Sequence, residues 1–151
     1  MTQSLSKVYI HLIFHISTTS PLIQDEDIDM IHSHIGRLIN ETGCSVLQIG
    51  GVGDHVHVLF LLARDVCLSH VVEHSKRKSS KWIKTISQHY RRFAWQAGYG
   101  AFSVSQSVLD KTLHYVSHQK EHHAKRAFRD EYISFLKLYG IDYDERFVLS
   151  D

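Results

Sequence analysis

The chain has little of what builds linkers, disulfide frameworks or membrane spans. Pro21 is its only proline and glycine occurs 8 times in 151 residues, so no Pro/Gly-rich stretch, low-complexity tract or internal repeat divides it. A single domain over residues 1–151 is expected, and 43% hydrophobic content suffices for one sizeable core. Cys44 and Cys67 stand far apart without the CxxC spacing of a zinc ribbon or redox site, and read as reduced thiols of a cytoplasmic protein. The apolar run over residues 8–16 contains His11 and His15 and is much too short to cross a bilayer, so no membrane partner is expected. A formal net charge of only +1 means that any case for nucleic acid has to rest on local clustering of charge.

What the chain has in excess is histidine, 13 residues, most of them expected to be separate titratable surface groups. The stretch Gly53-Asp54-His55-Val56-His57-Val58-Leu59-Phe60 is different, because it sets two histidines two positions apart in an apolar, β-branched run. Such a run reads as a buried strand. Strand side chains alternate, so His55 and His57 share one face while Val56, Val58 and Phe60 enter the opposite layer. Neutral imidazole is the commonest side-chain metal ligand, and a strand holds two of them without further ordering, but a third ligand must come from elsewhere. Asp54 reads equally well as an acceptor that orients an imidazole and as an ordinary turn residue.

Residues 7–16 read as a first strand. Asp25-Glu26-Asp27 opens a helix whose acidic first turn suits the positive end of the helix dipole; Ile28, Ile31, Ile35, Leu38 and Ile39 recur at helical spacing, and Gly43 stops the pattern. Residues 44–51 and 55–62 form a hairpin around Val52-Gly53-Asp54. A second helix begins near Ser69 and turns Val71, Val72, Ser75, Ser79, Trp82, Ile83 and Ile86 toward a core. A loop and a fourth strand fill residues 93–105, another helix starts near Ser107, and residues 129–139 add a helical segment. The order predicts an α+β, ferredoxin-like (split βαβ, RRM-like) antiparallel sheet with helices on one face, followed by the C-terminal helix that carries Tyr115.

On that helix Leu109, Leu113 and Val116 form the apolar stripe, while Tyr115 and Gln119 project together one turn apart. The Gln119 amide oxygen, a neutral hard ligand, is able to complete a two-histidine set and leave open positions for phosphate oxygens and water. His118, His122 and His123 are alternatives for that place, with His122 nearest in phase on a continuous helix. A phenol with a pKa of about 10 is a poor nucleophile at neutral pH, so Tyr115 needs a target polarised by a cation and held in line.

A His-hydrophobic-His strand followed by Tyr115-Val116-Ser117-His118-Gln119 resembles the single-tyrosine HUH transposases of bacterial insertion sequences. Ser79-Ser80-Lys81-Trp82, Trp95-Gln96-Ala97-Gly98-Tyr99-Gly100-Ala101-Phe102-Ser103 and Glu121-His122-His123 are similar to stretches of short members, including REP-associated ones. The resemblance implies a single-stranded DNA transposase in which Tyr115 forms a 5′-phosphotyrosine link and frees a 3′-hydroxyl. His55, His57 and Gln119 would match the family's ligands for Mg²⁺ or Mn²⁺. It also implies a homodimer with active sites shared between subunits, and recognition of hairpins at element ends.

Lys76, Arg77, Lys78, Lys81 and Lys84 put five cations on the second helix with no acid among them, a candidate surface for the DNA backbone. Trp82, Trp95, Tyr99 and Phe102 are expected mainly in the core, with base stacking the alternative. Two rival functions fit parts of the pattern: a metal-dependent phosphodiesterase in which water attacks, and a nucleic-acid-binding module without chemistry.

Overall fold

The structure, a computed structural model, describes residues 3–123 and 126–149. Strands β1 (Tyr9–His15), β2 (Ser45–Val52), β3 (His55–Leu61) and β4 (Gly100–Val104) pair antiparallel throughout, in the order β2-β3-β1-β4. This is the α+β, ferredoxin-like sheet that the element order predicts. Its two central strands are β1 and β3, in register with Ile13 opposite His57 and His15 opposite His55.

Helices α1 (Ile28–Glu41) and α2 (Leu68–Ile83) cover one face. There Ile31, Ile35, Val71 and Ile83 meet Leu12, Phe14, Val56, Val58 and Phe60, the alternate residues of β1 and β3. Each such side chain is worth roughly 1.5–3 kcal/mol when fully buried. The layer therefore fixes register, since a slip of one residue would turn His55 and His57 into it. Trp95 joins this core and donates from Nε1 to Ser79 Oγ at 2.9 Å, which accounts for a serine on the apolar stripe of α2. Trp82 is only half-buried and stacks on His34 with ring centres 4.0 Å apart. Phe102 is buried and Tyr99 is exposed.

The opposite face is covered too. Helices α3 (Leu109–Ser117), α4 (Gln119–His123) and α5 (Phe128–Leu138) lie against it, so the sheet has helices on both sides where the sequence pattern suggests one. The reason is that this face also carries apolar residues, Ile13, Leu59, Phe102 and Val104, which gain from cover. The helix expected to run unbroken through Tyr115 and Gln119 ends at His118, whose φ of −111° and ψ of 33° leave the helical region, and α4 starts afresh at Gln119. Among the described residues no helix is long and apolar enough to cross a membrane.

Gly50 sets the distance between α3 and the sheet. It pairs with His57 across β2 and β3, and a Cβ there would overlap the backbone carbonyl of Val116 and stand 3.5 Å from Gln119 Cγ. Gly50→Ala is accordingly expected to destabilise the protein by about 1–3 kcal/mol, readable as a lower midpoint in urea, while pushing Gln119 away from His55.

Candidate active site

Strand alternation places His55 and His57 on the α3/α5 side of the sheet, and neither has any exposed surface. Each ring has one nitrogen held from behind. Asp54 Oδ1 lies 2.7 Å from His55 Nδ1, and His11 Nε2, from the neighbouring strand, lies 2.7 Å from His57 Nδ1. Both Nε2 atoms are thereby turned toward a common centre, the orientation that an outer carboxylate or imidazole gives to a metal-binding histidine. Asp54 thus does orient an imidazole. Burial pushes its carboxyl up, but the hydrogen bond from His55 together with the electrostatic pull of His55 and His123 holds it below the usual range.

Gln119 joins the pair as the sequence suggests. Its Oε1 stands 3.1 Å from His55 Nε2, and its Nε2 donates to the backbone carbonyl of Tyr115 at 3.2 Å, which locks the amide with its oxygen toward the histidines. The Tyr115 ring lies 5.9 Å from that of His57, centre to centre, within the same chain.

A carboxylate that the motifs do not mark sits at the centre. Glu131, on α5 and only 2% exposed, places Oε1 2.9 Å from His57 Nε2, 3.2 Å from His123 Nε2 and 3.8 Å from His55 Nε2, while Oε2 accepts the hydrogen bond donated by the Tyr115 hydroxyl. Burial would push the Glu131 carboxyl up; the hydrogen bonds from His57 and Tyr115 overcome this and bring it down to about 2. Burial lowers His57 to about 4, offset in part by Glu131, and lowers His11 to about 3, helped by His57. At neutral pH Glu131 is therefore a carboxylate facing the uncharged ring of His57, which is backed by the uncharged ring of His11. The hydrogen bonds assign a proton to His57 Nε2, donated to Glu131, and one to His11 Nε2, donated to His57 Nδ1. Burial, reinforced by the Glu131 carboxylate, raises Tyr115 above the ordinary phenol range, so its hydroxyl is protonated in this arrangement.

Of the three alternative histidines, His123 and not His122 enters the cluster. The break at His118 shifts the phase of α4, so His122 stacks on the Tyr115 ring at 4.6 Å, and His118 Nδ1 turns back to the carbonyl of His114 at 2.7 Å. One signal for Glu131 exists in the sequence: it falls on the stripe of Phe128, Tyr132, Phe135 and Leu136, a charge among apolar positions at helical spacing.

The basic run is not brought to this site. It lies on α2, across the sheet. Lys76 is spent inside the protein, donating to the carbonyls of Gln96 at 2.5 Å and Gly98 at 2.7 Å, with burial lowering its pKa to about 8. Arg77 pairs with Glu73 at 2.6 Å, and Lys78, Lys81 and Lys84 are exposed.

The donor atoms fit a divalent cation. His55, His57, His123 and Glu131 each offer one atom, all within 4.8 Å of one another, and the rear nitrogens of the His55 and His57 rings are already engaged. The site is thus a ferredoxin-like sheet whose paired histidines face a tyrosine and a buried carboxylate. The sequence model of the family described as "Transposase IS200 like" matches residues 4–119, and the chain belongs to that family. Its fold is shared with a candidate transposase of Deinococcus radiodurans R1, at 18% identity and a TM-score of 0.60 over 77% of this chain and 95% of that one. It is shared also with a REP-associated tyrosine transposase solved bound to a REP hairpin, at 10% identity and a TM-score of 0.56 over 77% and 68% of the two chains. Among curated proteins no sequence relative was found.

Proposed function

We propose that this transposase cuts and rejoins single-stranded DNA through a 5′-phosphotyrosine on Tyr115. The observation that carries the reading is the convergence of the Tyr115 hydroxyl and the two Nε2 atoms of His55 and His57 around one buried carboxylate within a single chain. His55, His57 and Gln119 would hold Mg²⁺ or Mn²⁺, which when bound supplies positive charge against the scissile phosphate. The chain's own residues do the rest. Tyr115 Oη bonds to phosphorus as the bond from phosphorus to the 3′-oxygen breaks; the phenolic proton passes to Glu131 Oε2, and the departing oxygen takes a proton from water. Joining is the reverse, with a 3′-hydroxyl attacking and Glu131 returning the proton to the phenol.

DNA reaches the phenol through a cleft lined by His11, Val104, Lys111, Tyr115, Phe135 and Tyr139, whose rings offer faces for unpaired bases. The similarity to a transposase bound to a REP hairpin supports a hairpin-containing substrate. Lys78, Lys81 and Lys84 would contact the phosphate backbone from the far side of the domain, making affinity fall with salt.

The test is a denaturing gel of the protein with labelled single-stranded DNA from the sequence flanking its gene, with Mg²⁺, with Mn²⁺ or with chelator. A cation-dependent, slow-migrating protein–DNA band is expected. Cleavage without that band would instead make water the nucleophile. We also propose a homodimer, as the resemblance implies; where the resemblance implies sites shared between subunits, the contact of Tyr115 with its own Glu131 and its place beside its own His57 support a tyrosine that serves the site of its own chain. A mixture of Tyr115→Phe and His57→Ala chains is then expected to recover no activity; recovery would mean that the tyrosine crosses between subunits.

A further inference from the structure

We propose that Glu131 and His123 complete the cation site, and that the resulting set of three imidazoles, one carboxylate and one amide selects a transition-metal dication, from Mn²⁺ to Zn²⁺, over Mg²⁺. The inference rests on the reading of His55 and His57 as ligands. Both added residues lie beyond residues 4–119, the part of the chain that matches the family.

Glu131 is held by more than its own hydrogen bonds. Phe128, Tyr132 and Leu136 of α5 bury themselves against Ile13 and Phe102 of the sheet. Gly100 makes room for them: a Cβ there would stand 2.7 Å from the Tyr132 ring. The helix is thus seated on the sheet with a charged residue in its apolar stripe, and that charge meets nitrogen atoms and a phenol. Around a small dication with bonds near 2.1 Å, donors stand about 3 Å apart when adjacent and about 4.2 Å apart when opposite. The separations of Glu131 Oε1 from His57, His123 and His55 are 2.9, 3.2 and 3.8 Å, with Gln119 Oε1 3.1 Å from His55 Nε2. These separations, three of them hydrogen bonds in this arrangement, fall in the range that donors of one coordination sphere span.

Composition of the sphere decides the ion. Mg²⁺ prefers oxygen and keeps several of its waters, whereas imidazole suits the later first-row metals. Three nitrogens in a site without exposed surface at His55 and His57 therefore count against Mg²⁺. With His57 Nε2 given to the metal, its ring proton would sit on Nδ1 and be donated to His11 Nε2 at 2.7 Å, with His11 carrying its own proton on Nδ1 in that state. Glu131 Oε2 accepts from the Tyr115 hydroxyl, so with an ion held at Oε1 one carboxylate would link the nucleophile to the cation site.

The test is binding of the metal alone to the full chain, read by loss of the free Mn²⁺ electron paramagnetic resonance signal, with Mg²⁺ as competitor and the visible spectrum of the Co²⁺ form as a report on ligand number. Wild-type protein is expected to retain Mn²⁺ in about a hundredfold excess of Mg²⁺. Glu131→Gln and His123→Ala are each expected to weaken binding by about tenfold or more and to alter the Co²⁺ spectrum, with Glu131→Asp restoring part of the loss. Circular dichroism identifies variants that fail to fold. Displacement of Mn²⁺ by an equal concentration of Mg²⁺ would overturn the selectivity. Unchanged or tighter binding by Glu131→Gln would overturn Glu131 as a ligand and make it a plug that the metal displaces. If His55→Ala still abolishes binding in that case, only the extended set fails; no binding by the wild type, or none lost on His55→Ala, would remove the underlying two-histidine reading as well.

Discussion

Replacing Tyr115 by phenylalanine is expected to eliminate the covalent protein–DNA band and to lower strand cleavage by about four orders of magnitude or more, the scale seen when a catalytic nucleophile is removed. The substitution is a narrow probe because the ring has other work. It stacks on His122 at 4.6 Å and meets Phe135 edge-on at 5.8 Å, and phenylalanine keeps both contacts. What disappears is the hydroxyl and its bond to Glu131 Oε2. Glu131 retains His57 and His123, so the loss in stability is expected to be only about 1 kcal/mol, measurable as a small shift in the denaturation midpoint. An adduct that persists in Tyr115→Phe would locate the nucleophile elsewhere. A variant that keeps most of its cleavage would point to attack by water.

The histidine pair was legible because strand periodicity is short-ranged: two residues of separation and an apolar, β-branched context are enough to place His55 and His57 on one face, opposite Val56 and Val58. Gln119 was legible for a related reason, since a turn of helix brings it beside Tyr115, and the break at His118 leaves that neighbour relation intact through the bond from Gln119 Nε2 to the Tyr115 carbonyl. The same break was not legible. No glycine or proline marks it, and it moves His123 into the cluster where a continuous helix would favour His122. Glu131 was hidden by a competing explanation, because Asp130 and Glu131 in the first turn of a helix are what the helix dipole favours anyway. The phase of Glu131 on the stripe of Phe128 and Tyr132 is the one hint that separates it from Asp130, and the docking of α5 on the second face of the sheet gives that hint its meaning: Asp130 points to solvent and Glu131 into the site. The basic residues of α2 show the converse. Their clustering is plain in sequence, yet which face of the sheet α2 covers is settled by Val71, Val72 and Ile83, and these pack it on the side away from the histidines.

His57→Ala is expected to produce the largest combined loss, in stability and in response to metal. The ring is fully buried and bridges His11 and Glu131, so its removal leaves a cavity and takes one partner each from His11 Nε2 and Glu131 Oε1 in a site that water does not reach freely. The expected cost is about 2–4 kcal/mol, and at roughly 2–4 °C per kcal/mol for a chain of this size the melting temperature falls by about 5–15 °C. The response to metal separates this structural cost from ligation. At about a hundred times its dissociation constant, Mn²⁺ would stabilise the wild type by about 2.7 kcal/mol, a rise of roughly 5–10 °C in a thermal melt; His57→Ala is expected to show none of it. A His11→Phe variant provides the contrast, since His11 acts through the rear nitrogen of His57 and leaves the donor atom in place. It is expected to keep a reduced rise, because loss of an outer partner weakens metal binding by about 10–100-fold without abolishing it. Were His57→Ala to retain the full rise, the metal would be bound without the histidine pair, and the convergence of Tyr115, Glu131 and the two Nε2 atoms would be a hydrogen-bonded core and not a reaction centre.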